Sequence, residues 1–139
     1  MRSYNSGIHK AILEELVKKA AKFYSINPND VYNKSHKREL SETRKIIMFS
    51  LKCLYPKLSW ANIGAVFIKD HSTALLSYKS ISNLRQTEPK LNEFIDILIE
   101  DMREFIDNFK IASSIFLYGD IYNKHLVFKA LLGYTYNGG

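Results

Sequence analysis

The sequence predicts an all-α fold of about six helices, with a helix-turn-helix at Ser59–Arg85 and a helical C-terminal appendage. Three observations predict it. Apolar residues recur with a 3.6-residue period in successive stretches of the chain. Helix-start signals punctuate those stretches, at Asn27-Pro28, Ser41, Ser59, Asp70 and Thr87-Glu88-Pro89. Between Ser59 and Arg85 a short apolar helix pattern meets a tight polar break, Ile68-Lys69-Asp70. A second helix then opens on His71-Ser72-Thr73, so its polar first turn is free to face a partner.

The first helical pattern covers residues 8–24, with Ile8, Ile12, Leu13, Leu16, Val17, Ala20, Ala21 and Phe23-Tyr24 in phase and Ser6 as its cap. Asn27 can cap a short turn of helix and Pro28 suits its first position, which turns Val31 inward. Residues 33–39 are polar and aperiodic and read as a loop. Lys34, His36, Lys37 and Arg38 make it a candidate arm for phosphates or a minor groove, although an ordinary exposed loop has the same composition. Ser41 and Glu42 signal the next helix, whose inner stripe is Ile47, Ser50, Leu51 and Leu54, with Arg44, Lys45 and Lys52 pointing elsewhere; Pro56 ends it. Ser59 caps a helix bearing Trp60, Ile63, Val66 and Phe67, and Gly64 within it fits close approach of the neighbouring helix, although a lone helical glycine can also be incidental.

Asp70 is placed to cap the second helix of the pair, whose buried stripe is Ala74, Leu75, Tyr78, Ile81 and Leu84. From Pro89 to about Lys110 a strongly amphipathic helix follows, with an acidic outer face of Glu93, Asp96, Glu100, Asp101, Glu104 and Asp107. Residues 111–139 are apolar and tyrosine-rich. They fit either a helix capped by Asp120 or extended segments, and so much apolar surface points to packing on the domain or an oligomer interface.

With 139 residues and 46% hydrophobic content, the chain can build one cored domain, or one domain plus an appendage. No linker, repeat or low-complexity tract interrupts it. The single cysteine, Cys53, excludes an intrachain disulfide and reads as a buried thiol. No signal-peptide pattern or membrane-length apolar run occurs, so a cytoplasmic protein is expected. The net charge of +6 is unevenly spread. Residues 1–87 hold 15 Lys/Arg against 6 Asp/Glu, a net +9, and residues 88–139 hold 5 against 8, a net −3. This divides the chain into a basic helix-turn-helix domain, 1–87, and an acidic and apolar helical extension, 88–139. The basic part favours a polyanion, although a merely soluble basic protein would look alike.

Catalytic patterns are missing. The glycines fit neither phosphate-loop nor dinucleotide spacing, and no His/Cys/Asp spacing suits a metal, so no enzyme, nucleotide, metal or cofactor is expected. Asp70-His71-Ser72 holds the letters of a hydrolytic triad, but adjacent helix residues do not face one another. The same residues suit readout. His71 and Ser72 can hydrogen-bond base edges, the Thr73 methyl can meet a thymine methyl, and Lys52 and Lys69 can hold phosphates. Simple helix capping would account for Asp70–Thr73 equally.

Phe23-Tyr24, Ile26, Asp30, Lys34, Arg38, Arg44, Ile63-Gly64, Phe67, Asp70-His71-Ser72-Thr73, Leu75 and Ile81 together resemble the C-terminal DNA-binding domain of the bacterial replication initiator DnaA. The Asp-His-(Thr/Ser)-Thr element is its most specific motif, and the resemblance covers nearly half the chain. It implies a Trp-repressor-like arrangement, the DnaA domain IV type. It implies that Asp70, His71, Ser72 and Thr73 read the major groove, that Arg44 and Lys52 contact that region or its phosphates, and that one of His36, Lys37 and Arg38 enters the minor groove. Trp60 and Ala61 fall where the family has residues near DNA. The chain departs from the pattern in three places. The family's glycine-glycine-arginine before the Asp is Ile68-Lys69, one residue shorter; Ser72 replaces a threonine; and the ATPase module has no counterpart.

These readings combine into a stand-alone, sequence-specific double-stranded-DNA-binding protein that regulates replication initiation or transcription. The alternative is an interaction module that binds a replication or transcription protein, or a second copy of itself, through residues 88–139. An RNA duplex ranks third, because its deep major groove does not admit a helix.

Overall fold

A computed structural model describes residues 7–118 of the chain. Among them are five α-helices, one 3₁₀ helix and no strands. The all-α fold and its helix-turn-helix are as predicted. The contacts group residues into two compact units, Met1–Met102 and Arg103–Gly139.

Helix α1 (Lys10–Ala20) buries Ile12, Leu13, Leu16, Val17 and Ala20, a spacing that gives a helix one apolar face. Its cap is His9, whose Nδ1 accepts from the Ala11 N–H; Ser6 lies outside the described residues. The helix stops at Ala20 rather than Tyr24. Ser25 adopts a left-handed φ of 54°, and the Ile26 N–H turns back to the Ala21 carbonyl. Phe23 still serves the core, with its ring 4.9 Å from that of Phe94. The 3₁₀ helix Pro28–Tyr32 follows, with Asn27 Oδ1 accepting from the Asn29 N–H and Val31 fully buried, as the sequence suggests.

Helix α2 (Arg38–Leu54) starts three residues before the expected Ser41, with Lys37 at its cap position. The signal at Ser41 is overridden by packing: Leu40 and Thr43 are buried, and the Thr43 hydroxyl donates back to the Glu39 carbonyl within the helix. Leu54 and Cys53, expected inside, are only half-buried at the end of this helix. Helices α3 (Trp60–Ala65) and α4 (His71–Leu84) form the helix-turn-helix, and α4 packs mainly on α2 and α3. Ala74, Ser77 and Ile81 are its buried residues, whereas Leu75, Tyr78 and Leu84 are half-buried. Tyr78 locks α4 in place, stacking on Phe49 of α2 at 4.9 Å and meeting Trp60 of α3 edge-on at 5.5 Å.

Helix α5 (Pro89–Tyr118) is longer than the sequence suggests, ending beyond Lys110 and taking in residues 115–118, which the sequence allowed to be extended. Residues 119–139 lie outside the described part, and with them the proposed Asp120 cap. In the first unit α5 buries Leu91, Ile95, Leu98, Ile99 and Met102, and Arg85 after α4 bonds Asn92 and Asp96. No helix among the described residues is long and apolar enough to cross a membrane.

Candidate nucleic-acid interface

Two structures face one groove, of about 520 Å³. One wall is the chain from Val31 to His36 with Arg44 behind it; the other is Phe67-Ile68-Lys69, the turn of the helix-turn-helix.

The loop wall is built by a side chain from another element. Arg44 Nε donates to the Val31 carbonyl at 2.8 Å, and Nη2 donates to the carbonyls of Asn33 at 2.8 Å and Ser35 at 2.9 Å. With its carbonyls drawn inward, the loop turns outward. Asn33 Oδ1 accepts from the Ser35 N–H and Ser35 Oγ from the Lys37 N–H, which closes two small turns. Lys34, His36 and Lys37 are left exposed along the rim. Tyr32 packs its ring on Phe67 at 5.6 Å and ties this loop to the helix-turn-helix.

The helix wall is built locally. Gly64 lets the turn fold back on α3: a Cβ there would lie 2.6 Å from the carbonyl oxygens of both Lys69 and Asp70. The close approach is therefore that of the turn's own backbone, not of a neighbouring helix. The Lys69 N–H returns to the Gly64 carbonyl at 2.9 Å. Asp70 then caps α4, its Oδ1 accepting from the Thr73 N–H at 3.0 Å and from the Ser72 hydroxyl at 2.9 Å. The Thr73 amide and the Ser72 hydroxyl hold its carboxyl below the usual carboxylate range. His71 and Ser72 are exposed, and Thr73 is half-exposed.

The structure thus gathers most, not all, of the residues singled out from sequence. Asp70, His71, Ser72 and Thr73 form the first turn of α4, with exposed Lys69 beside them. His36 and Lys37 line or flank the loop. Arg38 belongs to α2 instead of the loop; it stays exposed and lies 3.6 Å from Glu42, which also accepts from the Tyr24 hydroxyl. Arg44 does not point away from the domain: it is half-buried, burial lowers its pKa, and its recorded bonds all hold the loop. Lys52 also turns inward. Its Nζ donates to the Leu58 carbonyl at 2.8 Å and sits 4.6 Å over the Trp60 ring. The groove is also lined by Lys34 and Ile68. Lys34 was readable as part of the cationic run; nothing in the periodicity marks Ile68.

A capped second helix with polar residues exposed on its first turn, reached through a tight turn that faces a cationic loop, makes this a helix-turn-helix, an architecture used to enter the major groove of DNA. Residues 13–81 match the family of the bacterial DnaA protein helix-turn-helix. The chromosomal replication initiator protein DnaA of Rickettsia massiliae (strain Mtu5) is 35% identical over 89 residues, which is 63% of this chain and 19% of that protein. The protein of the same name from Ehrlichia ruminantium (strain Gardel) is 36% identical over 97 residues, 68% of this chain and 21% of that one. The chain therefore spans about a fifth of the length of these relatives. No solved structure matches it.

Proposed function

We propose that the chain binds a specific double-stranded DNA site, with the first turn of α4 in the major groove, and that it regulates replication initiation or transcription there. The observation that carries this reading is the state of Asp70. A helix end that serves a phosphate offers free N–H groups and a partial positive charge. Here the Thr73 N–H is taken and a carboxylate stands at the end. Such an end suits base edges better than phosphates, because a carboxylate accepts from the exocyclic amines of cytosine or adenine. The Ser72 proton is given to Asp70, so its oxygen is left as an acceptor as well. His71 completes the reading turn, and Lys34, His36, Lys37 and Lys69 supply the phosphate contacts or enter the minor groove. Arg44 acts behind them as a positioning residue.

Selection of duplexes from a random pool with the full chain tests this. A recovered consensus supports it, together with a log–log salt slope of about −4 to −5 for four to six phosphate contacts. Recovery of no consensus sinks it. A second reading rests on α5, whose exposed Glu93, Asp96, Glu100 and Asp101 would repel DNA and flank Ile97, which is 52% exposed. That face suits a protein partner in the same replication or transcription setting.

A further inference from the structure

Ile68 is the least expected residue of the groove. Its φ is 56°, a left-handed conformation that β-branched residues rarely adopt, and its side chain is 76% exposed. The backbone around it follows a common way to end a helix. The Ile68 N–H donates to the Ala65 carbonyl and the Lys69 N–H to the Gly64 carbonyl, and the left-handed residue in such an ending is ordinarily glycine or asparagine. Isoleucine adds backbone strain there, and a side chain this exposed gains little from packing in the free domain. Its exposure exceeds that of Leu76, Ile97 and Ile111, the other exposed large apolar side chains among the described residues.

The surroundings indicate what covers it. Ile68 lies two residues before Asp70, and the groove it lines carries Lys34 and His36 on one wall and Lys69 on the other. A partner that meets cations on both sides and a reading turn next door is a polyanion with an apolar group on its edge. In the major groove of DNA that group is the C5 methyl of thymine. Resting on the DNA reading above, we infer that Ile68 is a specificity-determining contact that packs on a thymine methyl at the edge of the bound site.

The test uses I68G and I68N in the full chain, since both residues accept a left-handed φ. Each variant should melt no lower than the parent yet bind the selected duplex about tenfold more weakly. Its log–log salt slope should match the parent's, because no phosphate contact is lost. Replacing the thymines of the site one at a time with deoxyuridine, which lacks the methyl, should weaken the parent at one position where I68G is indifferent. The inference is overturned if I68G binds like the parent, or if every thymine is as sensitive for I68G as for the parent. A parent chain that selects no duplex overturns the DNA reading itself and takes this inference with it.

Discussion

The loop over residues 31–36 and the Phe67–Lys69 turn that leads into α4 face the same groove, yet they hold their shape by different means. The α4 turn is made by residues next to one another: Asp70 bonds Ser72 and Thr73, and Gly64 makes room for Lys69 and Asp70. The loop borrows its shape from Arg44, nine to thirteen residues along the chain, which gathers three of its carbonyls. A helix start that caps itself keeps its geometry wherever the helix goes. A loop tied to a separate helix is placed only when that helix is packed. The two walls should therefore fail separately when each is cut at its own support.

The largest effect is expected at the local support. In G64A the new Cβ would meet two backbone carbonyl oxygens at 2.6 Å, and backbone cannot swing aside as a side chain can. Such overpacking costs about 3 kcal/mol, well beyond the ~1 kcal/mol that alanine normally gains over glycine in a helix. A fall in Tm of more than about 10 °C is expected, with the α4 end displaced and duplex binding lost. A Tm within a degree or two of the parent would show that the turn can relax.

Next comes the remote support. R44L removes three hydrogen bonds from a charged donor. After discounting for partial exposure, a loss of about 2 kcal/mol is expected. R44K should recover little, because one ammonium cannot span three carbonyls as a planar guanidinium does. Hydrogen exchange gives the sharper readout: the Ser35 and Lys37 amides should lose protection while the Thr73 amide keeps its own. Equal loss at all three would mean that the walls form one cooperative unit and that the distinction drawn above is false.

The same contrast explains what could be read from sequence. The α4 cap, the 3₁₀ start at Asn27-Pro28 and the Ser59 cap depend on side chains that bond two or three residues away, and their residue types announce them. The start of α2 was misplaced because burial of Leu40 and Thr43, a tertiary matter, overrode a good local signal at Ser41. Arg44 and Lys52 look like surface cations in the pattern, and only the folded chain brings Val31, Asn33, Ser35 and Leu58 to their donors. The left-handed Ile68 was hidden for the opposite reason: its residue type argues against the conformation it adopts.

Acid should distinguish the walls by the smallest effect and the most selective one. The folded-state pKa of Asp70 is lowered from 3.8, chiefly by the Thr73 amide and then by the Ser72 hydroxyl. A carboxyl shifted in that direction adds stability that is fully present above about pH 4 and is lost as pH falls through the folded-state value. Arg44 stays charged throughout, so the loop has no matching dependence. D70N preserves a capping oxygen without the titration. Its Tm should lie slightly below the parent's at pH 7, and the gap should close as pH drops below 4. At neutral pH the variant also removes a negative charge from the reading turn. It should therefore bind all duplexes somewhat more tightly while discriminating less between the selected site and its single-base variants. A D70N protein that discriminates as well as the parent would leave Asp70 only its capping role and shift the reading to His71, Ser72 and Thr73.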